Sequence, residues 1–141
     1  MQLKTKFFYC KDTDISSIIK FVRSRRSVFQ PVKLDCIASI SALESAMERA
    51  IRRSENGSRI RDVGILILMY LCGCDQIQDA IKKCGVSAGD RSFALVYEDE
   101  SDISDFISQF PEVSETQASI PADHSDDMIF ERMSYVDSTL D

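Results

Sequence analysis

The hydrophobic positions along this 141-residue chain change period several times, and each change marks out an element. Leu3 to Cys10 carries Leu3, Phe7, Phe8 and Tyr9 and ends at a polar Lys-Asp-Thr-Asp, the composition of an opening strand. Ile15, Ile18, Ile19 and Val22 then recur at helical spacing behind Asp14, whose side chain suits an N-cap. Pro31 breaks the chain, and Val32-Lys-Leu-Asp-Cys-Ile37 alternates as a half-buried strand does. Ser41 and Glu44 have the spacing of a capping box, opening a helix expected to bury Ile40, Leu43, Met47, Ala50 and Ile51.

Val63 to Leu71 is apolar on both alternating faces. Periodicity alone does not separate a buried helix from a buried strand there. Length, β-branching and the following Gly73 favour a central strand covered on both sides. Asp75 is expected to cap a short helix with Ile77, Ala80 and Ile81 inward, and Gly85 to stop it in the left-handed conformation. Ser92 to Tyr97 reads as a second buried strand. Asp102 opens a helix with Ile103, Phe106, Ile107 and Phe110 on one face, ended by Pro111. Residues 111–126 form a polar connection, with a short edge strand near Ser119-Ile120, and 126–140 an amphipathic C-terminal helix. The alternation predicts a single α/β domain over residues 1–141: a mixed β-sheet of about four to five strands flanked by helices.

Composition narrows the function classes. Hydrophobic content of 44% with 28% charge suits a globular chain. The longest apolar run, Val63 to Cys72, is half the roughly 20 residues of a membrane span, and the N-terminus lacks a signal-peptide pattern. A cytoplasmic protein without a membrane partner is expected. Cys10, Cys36, Cys72, Cys74 and Cys84 are odd in number and irregularly spaced, so all are expected to be reduced thiols packed as small hydrophobes. Cys72-Gly-Cys74 is not a CxxC pair, and the only histidine, His124, lies in the polar connection and is expected to be exposed. No metal and no cofactor is expected.

Charge is distributed unevenly. Residues 1–92 carry 16 Lys+Arg against 10 Asp+Glu, a net of +6, while residues 93–141 carry 1 against 13, a net of −12. A pI of 4.8 is therefore compatible with a basic nucleic-acid face. The basic cluster Arg23, Arg25 and Arg26 suits a solvated helix end. Denser is the set Arg49, Arg52, Arg53, Arg59 and Arg61 around the flexible Ser-Glu-Asn-Gly-Ser loop; with Lys82 and Lys83 it forms the candidate RNA-binding surface, a solvated charged face being the plainer alternative.

Nucleotide-loop, nucleophile-elbow and zinc-protease motifs are absent, and no catalytic residue is expected. The acidic run Glu98 to Asp102 either holds Mg²⁺ or stabilises the start of the next helix. In the C-terminal segment, Met128, Ile129, Phe130, Met133 and Val136, with Tyr135 beside them, spread beyond one narrow stripe. They are the candidate partner-binding surface, with packing on their own domain as the alternative.

Three stretches in order carry a resemblance: Ile67-Leu-Met-Tyr-Leu-Cys-Gly-Cys-Asp-Gln-Ile77, Ala80-Ile-Lys-Lys-Cys-Gly-Val-Ser-Ala-Gly-Asp90 and Phe93-Ala-Leu-Val-Tyr-Glu-Asp99. Together with the preceding segment Val32 to Arg53 and a helix at the C-terminus, they resemble the TPRKB family. The resemblance implies a non-catalytic adapter of the KEOPS complex, which installs threonylcarbamoyladenosine in tRNA. It implies binding to the small atypical kinase (PRPK-like) through the segment Met128 to Leu140, and through that kinase a link to the threonylcarbamoyl-transferring subunit. Archaeal members also hold the single-stranded 3′-CCA end of tRNA. They often carry a glutamate and an arginine where this chain has Leu66 and Tyr70. The competing readings are a self-associating α/β domain and a Mg²⁺-dependent enzyme using Glu98 to Asp102.

Overall fold

The computed structural model describes residues 1–117 and 127–140 and carries its strands toward both ends of the chain, with three α-helices in succession between them. The elements run β1 (Lys4–Tyr9), α1 (Ile15–Arg23), β2 (Phe29–Lys33), a 3₁₀ turn (Leu34–Cys36), α2 (Ile40–Glu55), α3 (Val63–Cys72), α4 (Ile77–Cys84), β3 (Ser92–Tyr97), α5 (Glu100–Gln109), β4 (Ser114–Thr116) and α6 (Asp127–Thr139). The α/β class, a four-stranded sheet and the C-terminal helix agree with the sequence pattern. The chain forms two compact units. Unit 1 comprises Met1–Lys33 and Val86–Ala118, and unit 2 comprises Leu34–Gly85 and Ser119–Asp141.

Unit 1 is the sheet, in the order β2-β3-β1-β4, with α1 and α5. Every pairing is antiparallel, so the sheet is not mixed. The mixed sheet followed from reading Val63 to Leu71 as a strand, and that run is a helix. Phe8 pairs with Phe93, and Pro31 pairs with Leu95. Pro31 lies inside β2 rather than breaking the chain, because β2 is an edge strand and its outer side needs no N–H. On one side of the sheet Phe8, Phe29, Phe93, Leu95 and Tyr97 pack with Ile15, Ile18 and Val22 of α1 and with Ile103 and Phe106 of α5. Asp14 caps α1 by accepting from the Ser16 amide at 3.1 Å. Asp99, not Asp102, caps α5 by accepting from the Ser101 amide at 2.9 Å. The edge strand of the polar connection is Ser114–Thr116, on β1; Ser119-Ile120 and His124 lie outside the described residues.

Unit 2 is helical. Ser39 caps α2, two residues ahead of the expected cap Ser41, by accepting from the Ala42 amide at 3.0 Å. Ile40 is exposed, and Ala42, Ala46 and Ala50 are buried as a stripe of small residues on one face of α2, which packs on α3. The run expected as a central strand is α3. Asp62 caps it by accepting from the Ile65 amide at 3.1 Å, and Gly73 ends it at φ +68°. Leu66 to Leu71 are all buried, which is what an evenly apolar helix requires. Asp75 does not cap α4; Gln76 precedes it with no side-chain cap. Ile77 and Ile81 face outward and Ala80 and Cys84 inward. Gly85 is extended at φ −76°, not left-handed; a Cβ there would meet the Ile81 carbonyl oxygen at 2.5 Å.

The expectation of five reduced thiols is corrected at one pair. The 3₁₀ turn lies against the end of α4, bringing the Cα atoms of Cys36 and Cys84 to 5.6 Å, and the two form a disulfide. Cys10, Cys72 and Cys74 are free. Among the described residues no single helix is long and apolar enough to cross a membrane.

Candidate functional site

Helix α2 places Arg49 and Arg53 one turn apart on the same face, with Arg52 beside them, at the carbonyl end of the helix where cations are favoured. The Asn56-Gly57-Ser58 turn follows at once. These residues and Asp137 of α6 line an open hollow of about 410 Å³, wholly within unit 2.

The hollow is held by a network of hydrogen bonds. Arg49 Nη1 reaches Asp137 Oδ2 at 2.7 Å, and its Nε donates to Ser45 Oγ at 3.3 Å. Arg53 Nη2 donates to Asp137 Oδ1 at 3.1 Å and to the Asp137 carbonyl at 2.9 Å. Its Nη1 donates to the Leu140 carbonyl, and its Nε donates to the Tyr70 hydroxyl at 3.0 Å. Tyr70 in turn donates to Asp137 Oδ1. Arg52 is exposed and has no ion-pair partner among the described residues.

Burial opposes the Asp137 charge, but hydrogen bonds from Tyr70 and Arg53 and the charge of Arg49 outweigh it and hold the carboxyl below its usual range. Arg53 is also disfavoured by burial, yet its bonds to Tyr70 and Asp137 carry its pKa upward. Burial, then the bond to Asp137, raises Tyr70. All three hold their ordinary charge states at neutral pH. The hollow thus presents fixed guanidinium groups, which suit an oxyanion. Ser58 is buried, with its hydroxyl accepting from the Ile60 amide at 3.3 Å.

Of the candidate RNA-binding residues, Arg49, Arg52 and Arg53 meet at the hollow. Arg59 and Arg61 are exposed in the loop between α2 and α3 without lining it, and Lys82 and Lys83 are exposed in the last turn of α4. Asp137 is not among the residues the sequence singles out, and Tyr70 stands out there only as a position where archaeal members differ. Asp137 lies 84 residues from Arg53, and no local pattern links them.

Among the C-terminal candidates, Met133 and Val136 are both 0% exposed and belong to the interior of unit 2, so they are not an open docking face. Apolar residues one turn apart on α6 fill the space against α3 instead. Ile129 and Phe130 are half-buried, and the Met128 side chain lies outside the described residues. Tyr135 is 51% exposed, its hydroxyl 3.2 Å from Asp75 Oδ2.

The acidic run is engaged in structure. Asp99 is a cap, Glu100 pairs with Lys4 at 2.5 Å, and Asp102 is buried facing Arg25 at 3.8 Å. Arg25, read from sequence as part of a solvated cluster, lies over the Phe21 ring at 4.4 Å and pairs with Asp105 at 2.9 Å. No group of three His, Cys, Asp or Glu among the described residues has metal-binding geometry. Burial, helped by the neighbouring Cys74, pushes the Cys72 thiol up to about 12, far from a reactive thiolate. Comparison with protein-family models and with curated proteins finds no match for the chain.

Proposed function

We propose that this chain is a non-catalytic adapter of the KEOPS tRNA-modification complex, binding the small atypical kinase and the 3′-CCA end of tRNA. The observation that carries the RNA half is the convergence of Arg49, Arg52 and Arg53 on one open hollow. Guanidinium groups on a helix are suited to ribose-phosphate oxygens, and Arg52 has no ion-pair partner among the described residues. The ordered resemblance over residues 67–99 supports the assignment to that complex. The kinase-docking half rests on the exposed part of α6, with Ile129 and Phe130 half-buried and Tyr135 open. A cytoplasmic location accompanies this reading.

The test is binding of the full chain to tRNA with and without its CCA end, at two salt concentrations. The reading expects binding that requires the CCA end, falls with salt and weakens in Arg52→Ala. Equal binding to the truncated tRNA overturns the CCA assignment, and no binding to either overturns the RNA role. For the kinase, Phe130→Asp is the informative variant; Met133→Asp is not, because Met133 is core. Undiminished kinase affinity in Phe130→Asp removes the α6 docking face.

A further inference from the structure

The hollow is occupied by the chain's own anion. Asp137 stands in the last turn of α6 and offers one oxygen to Arg49 at 2.7 Å and the other to Arg53 at 3.1 Å. The Tyr70 hydroxyl donates to the carboxylate as well, and a phosphate group can take the same three donors, one nitrogen from each arginine and the hydroxyl. Two of the three guanidiniums are therefore already paired, and only Arg52 is left open.

The carboxylate is nonetheless placed to leave. Its side chain is 38% exposed, so turning outward returns it to water without crossing the core. The body of helix α6 stays anchored meanwhile by Met133, buried one turn ahead of Asp137. Exchange of one monoanion for another leaves the charge of the hollow unchanged, which removes the main electrostatic cost of opening it.

We propose that Asp137 is a built-in competitor, and that a nucleic-acid phosphate enters the hollow by exchanging with its carboxylate on Arg49 and Arg53. The inference rests on the RNA reading of the same hollow, and deepens it by making the site self-occupied. Binding is then coupled to the last turn of α6. The ligand loosens that turn, and by reciprocity a firmly held turn weakens the ligand.

Affinity for a short single-stranded RNA ending in CCA, and separately for inorganic phosphate, tests this in the full chain. Asp137→Asn is expected to bind about 5-fold tighter or more, at the low end of coupled sites. Glu131→Gln, removing an exposed charge from the same helix, is expected to change little, and Arg52→Ala to weaken binding in either background. Tightening with both probes assigns the exchange to the phosphate group itself; tightening with RNA alone assigns it to the nucleic-acid backbone. Either supports the proposal.

A second readout needs no variant and covers the case in which Asp137→Asn folds poorly. Saturating the wild-type chain with RNA should speed amide exchange in the last turn of α6. Protection or no change there at saturation overturns the competition. So does an Asp137→Asn affinity that is unchanged, or matched by Glu131→Gln, while the RNA reading survives. Failure of every variant to bind either probe overturns both.

Discussion

The two units of this chain solve the same problem with different materials. Unit 1 holds seven of the eight phenylalanines, and its interior is aromatic. Phe106 alone lies within 5.2–6.4 Å, ring to ring, of Phe8, Phe21, Phe29, Phe93 and Phe110. Unit 2 has no buried phenylalanine among its described residues. It packs small and aliphatic residues between helices, and joins α2, α3 and α6 with directed bonds through Arg53, Tyr70 and Asp137. Aromatic area gives cohesion that does not depend on any one polar contact. A helical unit with an alanine stripe depends on a few specific bonds, and here those bonds also fix arginines around an open hollow.

The comparison is broken most severely at the aromatic hub. Phe106→Ala is expected to cost about 3–5 kcal/mol, since it removes a fully buried ring that five others pack against. Chemical denaturation measures it. A loss under about 1 kcal/mol would mean that unit 1 does not rest on its aromatic centre.

Gly73→Ala is expected to cost less, about 1–3 kcal/mol, and to strike unit 2. The residue sits at φ +68°, which disfavours a side chain, and its new Cβ would meet Arg132 Cβ at 2.9 Å. Thermal melting of this variant beside Phe106→Ala separates the two sensitivities. A neutral result would show that α6 yields at Arg132 without loss.

Unit 1 was the more legible of the two from sequence, and the reason is periodicity. In α1 and α5 one face is apolar and the other polar, so the period of 3.6 shows through. Helix α3 has no such contrast; it is buried all round, and a run with no polar face reads equally as a central strand. Its neighbours settle it only in the structure: Asp62 is a cap, and Gly73, which from sequence favours a strand, is a left-handed helix stop. Ile40, Ile77, Ile81 and Ile107 are expected inward on hydrophobicity alone yet are exposed, because buried positions are apolar more reliably than apolar residues are buried. In the hollow, the arginine cluster was visible because its members are neighbours in sequence. Their anchor Asp137 was not, because only folding brings it there.

Arg53→Met is expected to cost about 1–3 kcal/mol. It keeps much of the side chain's bulk but leaves the Tyr70 hydroxyl and Asp137 short of their donors. The complementary variant in unit 1, Arg25→Met, should cost less. Arg25 Nε and Asp102 Oδ2 are buried without hydrogen-bond partners among the described residues, and the Arg25 bond to Asp105 is exposed, so less is lost there. Equal costs in the two variants would erase the contrast between a satisfied and an unsatisfied charge network.

The smallest effect is also the most discriminating, because its sign differs between the units. Burial, with Asp99 beside it, raises the Asp102 carboxyl above its ordinary 3.8. A raised carboxyl binds its proton more readily folded than unfolded, so unit 1 gains stability as pH falls through that raised value toward about 3.8. Asp137 is shifted the other way, below 3.8, so its contribution is intact above that value and is lost as pH falls below it. Amide exchange followed by residue should therefore show a slight strengthening around α5 in the upper window and a loosening of the end of α6 in the lower one. Asp14 and Asp99 are lowered as well, so unit 1 weakens too once the lower window is entered. The variants remove that overlap: Asp102→Asn should abolish the gain and Asp137→Asn the loss specific to α6. A loosening of α6 that persists in Asp137→Asn would place its acid sensitivity elsewhere, and with it the idea that one carboxylate clasps the arginine hollow.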